Sequence, residues 1–228
     1  MTDNLKTNGD AAPPASAPPT PGRRLLRDPR ATRAAILAAA VEEFSHHGYG
    51  GARVDAIAAR ACTNKRMLYH YFGDKEALYL AVLESIYGAI RQAEKGLDLA
   101  HRDPLQAMRD LALFTWRYFL NHPEFLSLLA TENLLKAQHL KRSKTLAAMH
   151  SHFIGELSSV LDRGAKSGVF RPDIDPLSVY MTIAALGFFY LNNRHTISTI
   201  FGRDLFQQEA LEAWGEHIVS VTLASIKP

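Results

Sequence analysis

The sequence predicts an all-α protein, with a small N-terminal three-helix unit followed by a larger C-terminal helical unit. Three observations carry this. Apolar residues recur every three or four positions along most of the 228-residue chain, which is the period of one helical face. Those stretches open at Asp-Pro or Asn and stop at Gly, residues that start and end helices. No alternation of period two runs longer than a few residues, and there is no internal repeat. About nine helices are expected.

Residues 10–21 read DAAPPASAPPTP and hold five of the eleven prolines, so 1–22 is expected to be a disordered, Pro/Ala-rich tail. Asp28-Pro29 opens the first helix, because Asp caps and Pro is tolerated at the first position. Ile36, Leu37, Ala40, Val41 and Phe44 form its apolar stripe; Gly48 ends it, and Gly50-Gly51 reads as a loop. A short helix from Val54 to Arg60 shows Val54, Ile57 and Ala58 on one face, and Ala61-Cys62-Thr63 breaks it. Asn64 caps the next short helix, which carries Leu68 and Phe72 on its inner face and stops at Gly73. Asp74 caps a longer helix to about Glu94, with Leu78, Val82, Ile86 and Ile90 as its stripe. Asp103-Pro104 opens a helix to Leu120, and His122-Pro123 opens one to about Leu135. Leu146, Met149, Phe153, Leu157 and Val160 mark a long amphipathic helix ended by Gly168. Asp175-Pro176 opens a helix that is apolar nearly all round to Leu191, and a last one runs from about Leu205 to Ile226.

Composition excludes several classes. Apolar residues make up 47% and charged residues 21%, near globular averages, so the chain is not disordered throughout. The single Cys62 cannot form an internal disulfide, which points to a reducing compartment. The longest apolar run, Met181–Leu191, is well short of the roughly 20 residues of a membrane span. No apolar stretch follows Lys6, so no signal peptide is expected. These observations predict a cytoplasmic protein with no membrane partner. The net charge of +3 is uneven: residues 21–75 hold ten Lys/Arg against five Asp/Glu, whereas residues 76–228 hold fifteen against sixteen. A basic small unit beside a neutral larger one suggests an anionic partner for the first, or else a solvated basic face.

The N-terminal trio supplies a reason for that charge. Two short helices joined by a tight turn hold the second at a steep angle, from which it can enter the DNA major groove. With Leu68 and Phe72 turned inward, Lys65, Arg66, Tyr69 and His70 point outward or along the edges. Lys and Arg can read guanine O6 and N7, and Tyr and His hold phosphates. No acidic residue lies between Arg60 and Gly73. Upstream, Arg23, Arg24, Arg27 and Arg30 form either a minor-groove arm or a solubilising basic tail.

Phe44-x-x-x-Gly48-Tyr49, Ile57-Ala58 and the run from Asn64 through Lys65-Arg66-Met67-Leu68-Tyr69-His70-Tyr71-Phe72-Gly73-Asp74-Lys75-Glu76-Ala77 to Leu78 resemble the DNA-binding domain of TetR/AcrR-type transcriptional regulators. The resemblance covers Thr32 to Leu83. It implies a homodimeric, all-helical repressor: a helix-turn-helix DNA-binding domain at 23–75, then an effector-binding and dimerisation domain at 76–228. Two recognition helices would read a palindromic, double-stranded DNA operator. Carried over position by position, it makes Lys65, Arg66 and Met67 base-contacting. Asn64, Tyr69, His70, Tyr71 and Lys75 become mostly phosphate-contacting. Two residues depart from the pattern. Cys62 stands where Gly is usual, at a cost on the order of 1 kcal/mol if the position needs a positive φ. Ala52-Arg53 replaces the usual Ser/Thr before the second helix, so the hydroxyl cap is lost and Arg53 is expected to supply a charged phosphate contact.

The C-terminal region shows no phosphate loop, nucleophile elbow or paired carboxylates. It is rich in aromatics on helices, most of them expected in the core. Trp116, Asn133, His150, Tyr180, Asn192 and His195 are the candidates for contacts to a small-molecule effector. Asn121-His122-Pro123-Glu124-Phe125, with Glu132-Asn133 downstream, is similar to regulators of pyrimidine and nicotinate catabolism. A flat polar effector and a lipophilic one both suit the composition. No metal or cofactor is expected: His150 and His152 point about 200° apart on a helix, and His46-His47 has no ligand-spaced partner. A redox role for Cys62, beside Lys65 and Arg66, competes with plain turn filling. The last two helices, apolar on faces beyond those a monomer buries, are expected to form a four-helix dimer interface. Two other readings stand beside a ligand-responsive repressor: a small helical ligand-binding enzyme, and a protein-interaction module using the helix-turn-helix.

Overall fold

The computed structural model describes Met1 and residues 28–228. The expected tail and Arg23, Arg24 and Arg27 lie outside the described residues. Nine α-helices run in order among those described: α1 (Pro29–Gly51), α2 (Val54–Arg60), α3 (Lys65–Phe72), α4 (Lys75–Glu94), α5 (Pro104–Asn121), α6 (Pro123–Leu134), α7 (Lys144–Lys166), α8 (Pro176–Phe201) and α9 (Gln208–Ile226). Local chemistry sets most of the starts. Asp28, Asn64, Asp74, Asp103, Ser143 and Asp175 each accept a hydrogen bond from a backbone N–H in the first turn of the helix that follows. Among the described residues no helix is long and apolar enough to cross a membrane.

Two apolar cores result. One gathers Ile36 and Phe44 of α1, Ile57 of α2, Leu68 of α3 and Leu78 and Val82 of α4 with Phe125 and Leu128 of α6. The other joins Met108, Leu111 and Trp116 of α5 to Leu157 and Val160 of α7, Ile183 of α8 and Ile218 of α9. Helix α4 links the two sets, and α6 packs along α1.

Three sequence expectations need correction. Helix α8 does not stop at Leu191 but continues to Phe201. The polar run Asn192–Thr196 stays helical with side chains bonding back to the preceding turn, as Asn193 Nδ2 does to Phe189 O at 2.8 Å. Gly202, at φ +62°, ends it. Leu177, Met181 and Phe189 of α8 are exposed, apolar surface of the kind the sequence predicts on this helix beyond what a monomer buries. Helix α9 begins at Gln208, because the Leu205 backbone is tied to α8 instead: Ser198 Oγ accepts from its N–H, and Tyr190 OH donates to its carbonyl. The expected loop at Gly50-Gly51 continues the helical trace of α1 after a break at Gly48, where φ is +63°.

The turn after α7 depends on one close approach. Phe170 folds back under Gly164, where an added Cβ would sit 1.9 Å from the ring. Gly164→Ala is therefore expected to destabilise by roughly 1–3 kcal/mol through overpacking. A thermal melt checks this; an unchanged Tm would show that Phe170 has room to move.

Candidate nucleic-acid interface

Helices α2 and α3 are joined by a turn that folds back on α2. Cys62 N donates to Ala59 O and Thr63 N to Ala58 O, both at 2.9 Å. Cys62 sits at φ +49°, so the position does demand the left-handed region that a glycine adopts without strain. Asn64 Oδ1 accepts from Met67 N at 2.9 Å and fixes the start of α3. Leu68 and Phe72 face the core, and the Arg33 guanidinium of α1 lies 4.8 Å from the Phe72 ring centroid. Packing therefore fixes α3 on its inner side.

On the outer side, Lys65, Arg66, Tyr69 and His70 are exposed, with Met67 and Tyr71 half-buried at the margins. Asn64 and Arg53 are exposed at the near end. Lys75 opens α4, with Nζ 5.0 Å from the Tyr49 ring centroid. Burial pulls its amine below the usual lysine range, with Glu43 pulling the other way. The surface is thus cationic at its centre and aromatic at its flanks. Arg30 is exposed at the head of α1.

Two acids that the motif reading passed over shape this surface. The buried Glu43 of α1 ties down the chain entering α2, a helix with no side-chain cap of its own: Oε1 accepts from Arg53 N at 3.0 Å, and Oε2 from Arg60 Nη1 at 3.2 Å. The bond from Arg53 N, helped by Arg60 and His47 and opposed by burial, holds its carboxyl below the ordinary value. Its contribution to stability is thus present at neutral pH and is lost as the pH falls through that lowered value. Asp55 of α2 pairs with Lys65 Nζ at 3.2 Å, an exposed ion pair that puts a negative charge beside the start of α3. The sequence signal for Glu43 was an acid on the buried stripe of α1. Asp55 gave none, because only the α2–α3 angle brings it near Lys65.

Comparison with known proteins decides the family. Residues 36–82 match the model of bacterial regulatory proteins of the tetR family. Residues 104–222, over half the chain, match a tetracyclin repressor-like C-terminal domain. The chain belongs to the TetR family. It is 42% identical over 196 residues to the transcriptional repressor NicS of Pseudomonas putida, covering 86% of this chain and 92% of that one. It is 30% identical over 213 residues to the transcriptional regulator RutR of Escherichia coli, covering 92% and 96%. The crystal structure of SCO4942 from Streptomyces coelicolor superposes with a TM-score of 0.65 at 27% identity, over 86% of this chain and 99% of that one. This TetR-family chain is a DNA-binding transcriptional repressor, not an enzyme.

Within the TetR C-terminal region the six effector candidates scatter. Trp116 is buried, with Nε1 donating to Leu211 O at 3.0 Å, and ties α5 to α9. Asn133 is exposed and bonds back to Leu129 O. Asn192 lies on the outer face of α8, and His195 packs on Phe206. Only two converge: Tyr180, 5.6 Å from the Arg91 guanidinium, and His150, packed edge-on against Tyr87. Both feel the charge of Arg91. Among the described residues no group of three or more His, Cys, Asp or Glu is placed to hold a metal ion.

Proposed function

We propose that the chain acts in the cytoplasm as a homodimeric repressor with the division read from the sequence. Residues 23–75 hold operator DNA; residues 76–228 bind a small-molecule effector and form the dimer. Lys65, Arg66 and Met67 read bases, while Arg53, Asn64, Tyr69, His70, Tyr71 and Lys75 hold the backbone. Two α3 helices related by a two-fold axis, about 34–36 Å apart, would meet successive major-groove turns of a palindrome. Effector binding shifts the dimer toward a spacing that no longer matches. The observation that carries this reading is the outer face of α3, an unbroken set of donors on a helix whose inner face is locked by Leu68 and Phe72.

The test is a titration against the gene's own upstream DNA and a scrambled duplex at about 150 mM salt. A preference of ~10³ or more is expected. Lys65→Ala should relax base preference, and Lys75→Ala should weaken every site and lower the salt slope by about one. Equal weak binding to both duplexes would sink the reading, and a Lys65→Ala variant that discriminates like wild type would displace the recognition face.

A further inference from the structure

Positive charge is concentrated a second time, outside the helix-turn-helix. Lys136, Lys141, Arg142 and Lys144 fall within nine positions, and no acidic residue lies between Glu132 and Glu156. The rest of residues 76–228 is acidic, with eleven Lys/Arg against sixteen Asp/Glu. The four cations lie on the turn between α6 and α7 and at the first residue of α7, and all are exposed. Arg142 pairs with Glu76. Lys136, Lys141 and Lys144 make no ion pair among the described residues. A run of cations is most often a solvated face.

The seating of this one argues for a partner. The buried His139 ring packs on Tyr49 at 4.6 Å and on Tyr79 at 4.8 Å. Lys75 Nζ lies 5.0 Å from the same Tyr49 ring. Arg142 meets Glu76, the residue directly after Lys75, and Ser143 Oγ donates to Glu84 Oε1 at 2.6 Å, about two turns further along α4. The turn therefore lies against the first half of α4, at the end that carries the recognition helix. Its backbone is strained to stay there. Lys136 and Ala137 stand in succession at φ +56° and +57°, and buried Glu132 holds the next residues through His139 N and Leu140 N. Such strain clusters at binding segments.

The charge is thus continuous with the cationic face formed by α3 and Lys75. Separate, solvated ammonium groups without a pocket suit evenly spaced phosphates, each met as a point charge. An acidic protein surface offers the same charge, but it would have to approach from the side where operator DNA comes.

We propose that the α6–α7 turn is a second DNA contact, in which Lys136, Lys141 and Lys144 neutralise backbone phosphates beside those held by Lys75. The C-terminal unit then grips the duplex together with the helix-turn-helix. This rests on the DNA-binding reading of α3 above and extends it beyond residue 75.

The test uses the full-length chain carrying Lys136→Gln, Lys141→Gln and Lys144→Gln together. A control carries Lys95→Gln, Lys166→Gln and Lys227→Gln. It removes the same charge far from Lys75: α4, with its 20 residues, sets Lys95 about 30 Å away, Lys166 ends α7, and Lys227 follows α9. Operator and scrambled duplex are titrated over a range of salt. Each phosphate contact contributes ~0.9 to the salt slope. The turn variant is expected to lower the slope by about two or more and to weaken binding to both duplexes tenfold or more at about 150 mM salt, with the preference between them kept within about threefold. The control should keep the wild-type slope. Ethylation of single phosphates should reveal wild-type contacts that the turn variant lacks. The proposal is overturned if the turn variant keeps the wild-type slope, or if the control lowers it equally, which would make the effect one of overall charge. Loss of preference without a change of slope also overturns it, because the turn would then position α3 rather than touch phosphate. Wild-type binding separates the two readings. Operator preference beside an unchanged turn variant removes only this inference; no preference in the wild type removes the repressor reading, whatever the turn variant does.

Discussion

Phe189→Asp is expected to convert the protein to a monomer and to weaken operator binding by about 10²–10⁴, with little change in the helical content of each chain. The face of α8 that carries Phe189 exposes a run of apolar side chains. Phe189 and Met181 are 60% and 59% exposed, and Leu177 and Ala185 lie on the same side. Beside it α9 exposes Ala213, Ser220 and Ala224, small residues that let another helix approach closely. Between them runs an open groove of about 670 Å³ lined by Phe189, Ile197, Phe201, Ala213 and Trp214. In the proposed dimer, a two-fold axis through this face would place each α8 near its own copy, so an Asp at 189 would bring two carboxylates into an apolar interface. The loss on DNA comes from valency: each half-site keeps its contacts, but the second recognition helix no longer arrives at high effective concentration. Sedimentation equilibrium and operator titration check both parts. The salt slope should fall to about half of its wild-type value, because half of the phosphate contacts are gone. A variant that remains dimeric at micromolar concentration would place the interface elsewhere.

What was legible in the sequence was local. Asp28, Asn64, Asp74, Asp103 and Asp175 each cap within three residues of themselves, so the starts of five helices could be read from adjacent letters. The inward pair Leu68 and Phe72 fixed which face of α3 stays outside. The readings that needed correction lie where a local cue met a distant partner. The polar run Asn192–Thr196 looks like the end of an apolar helix, yet a helix can continue with one wet face when its side chains bond to its own carbonyls. Effector candidates chosen by residue type scattered, because convergence depends on how α4, α7 and α8 pack. Arg91 gave no signal: beside Ile90 on the α4 stripe, it reads as an ordinary side chain that carries its charge out to water. Glu43 stands on the buried stripe of α1, but its partner Arg53 lies ten residues away, beyond any local cue.

Glu132 is the strongest case of that kind, and its removal is expected to be the most damaging single change to stability. It lies near the end of α6, fully buried. Oε1 accepts from His139 N at 2.8 Å and from Leu140 N at 3.0 Å, while Oε2 takes the His139 Nδ1–H at 3.0 Å. The carboxylate thereby holds the chain through Lys136 and Ala137, both at positive φ. It presses the His139 ring against Tyr49, at 4.6 Å, and Tyr79, at 4.8 Å. Tyr49 in turn lies under Lys75. One acid of the C-terminal region thus fixes the seat of α1 and the start of α4, which carry the recognition helix. Glu132→Ala leaves the buried His139 N–H, the partly buried Leu140 N–H and a ring N–H without an acceptor, at a cost of roughly 3–5 kcal/mol, or about 10 °C in Tm. His139→Phe keeps the ring contacts and both backbone bonds, so it should cost only about 1–2 kcal/mol. The order of the two is the test. If His139→Phe destabilises as much as Glu132→Ala, the histidine pair and not the backbone tie holds the turn.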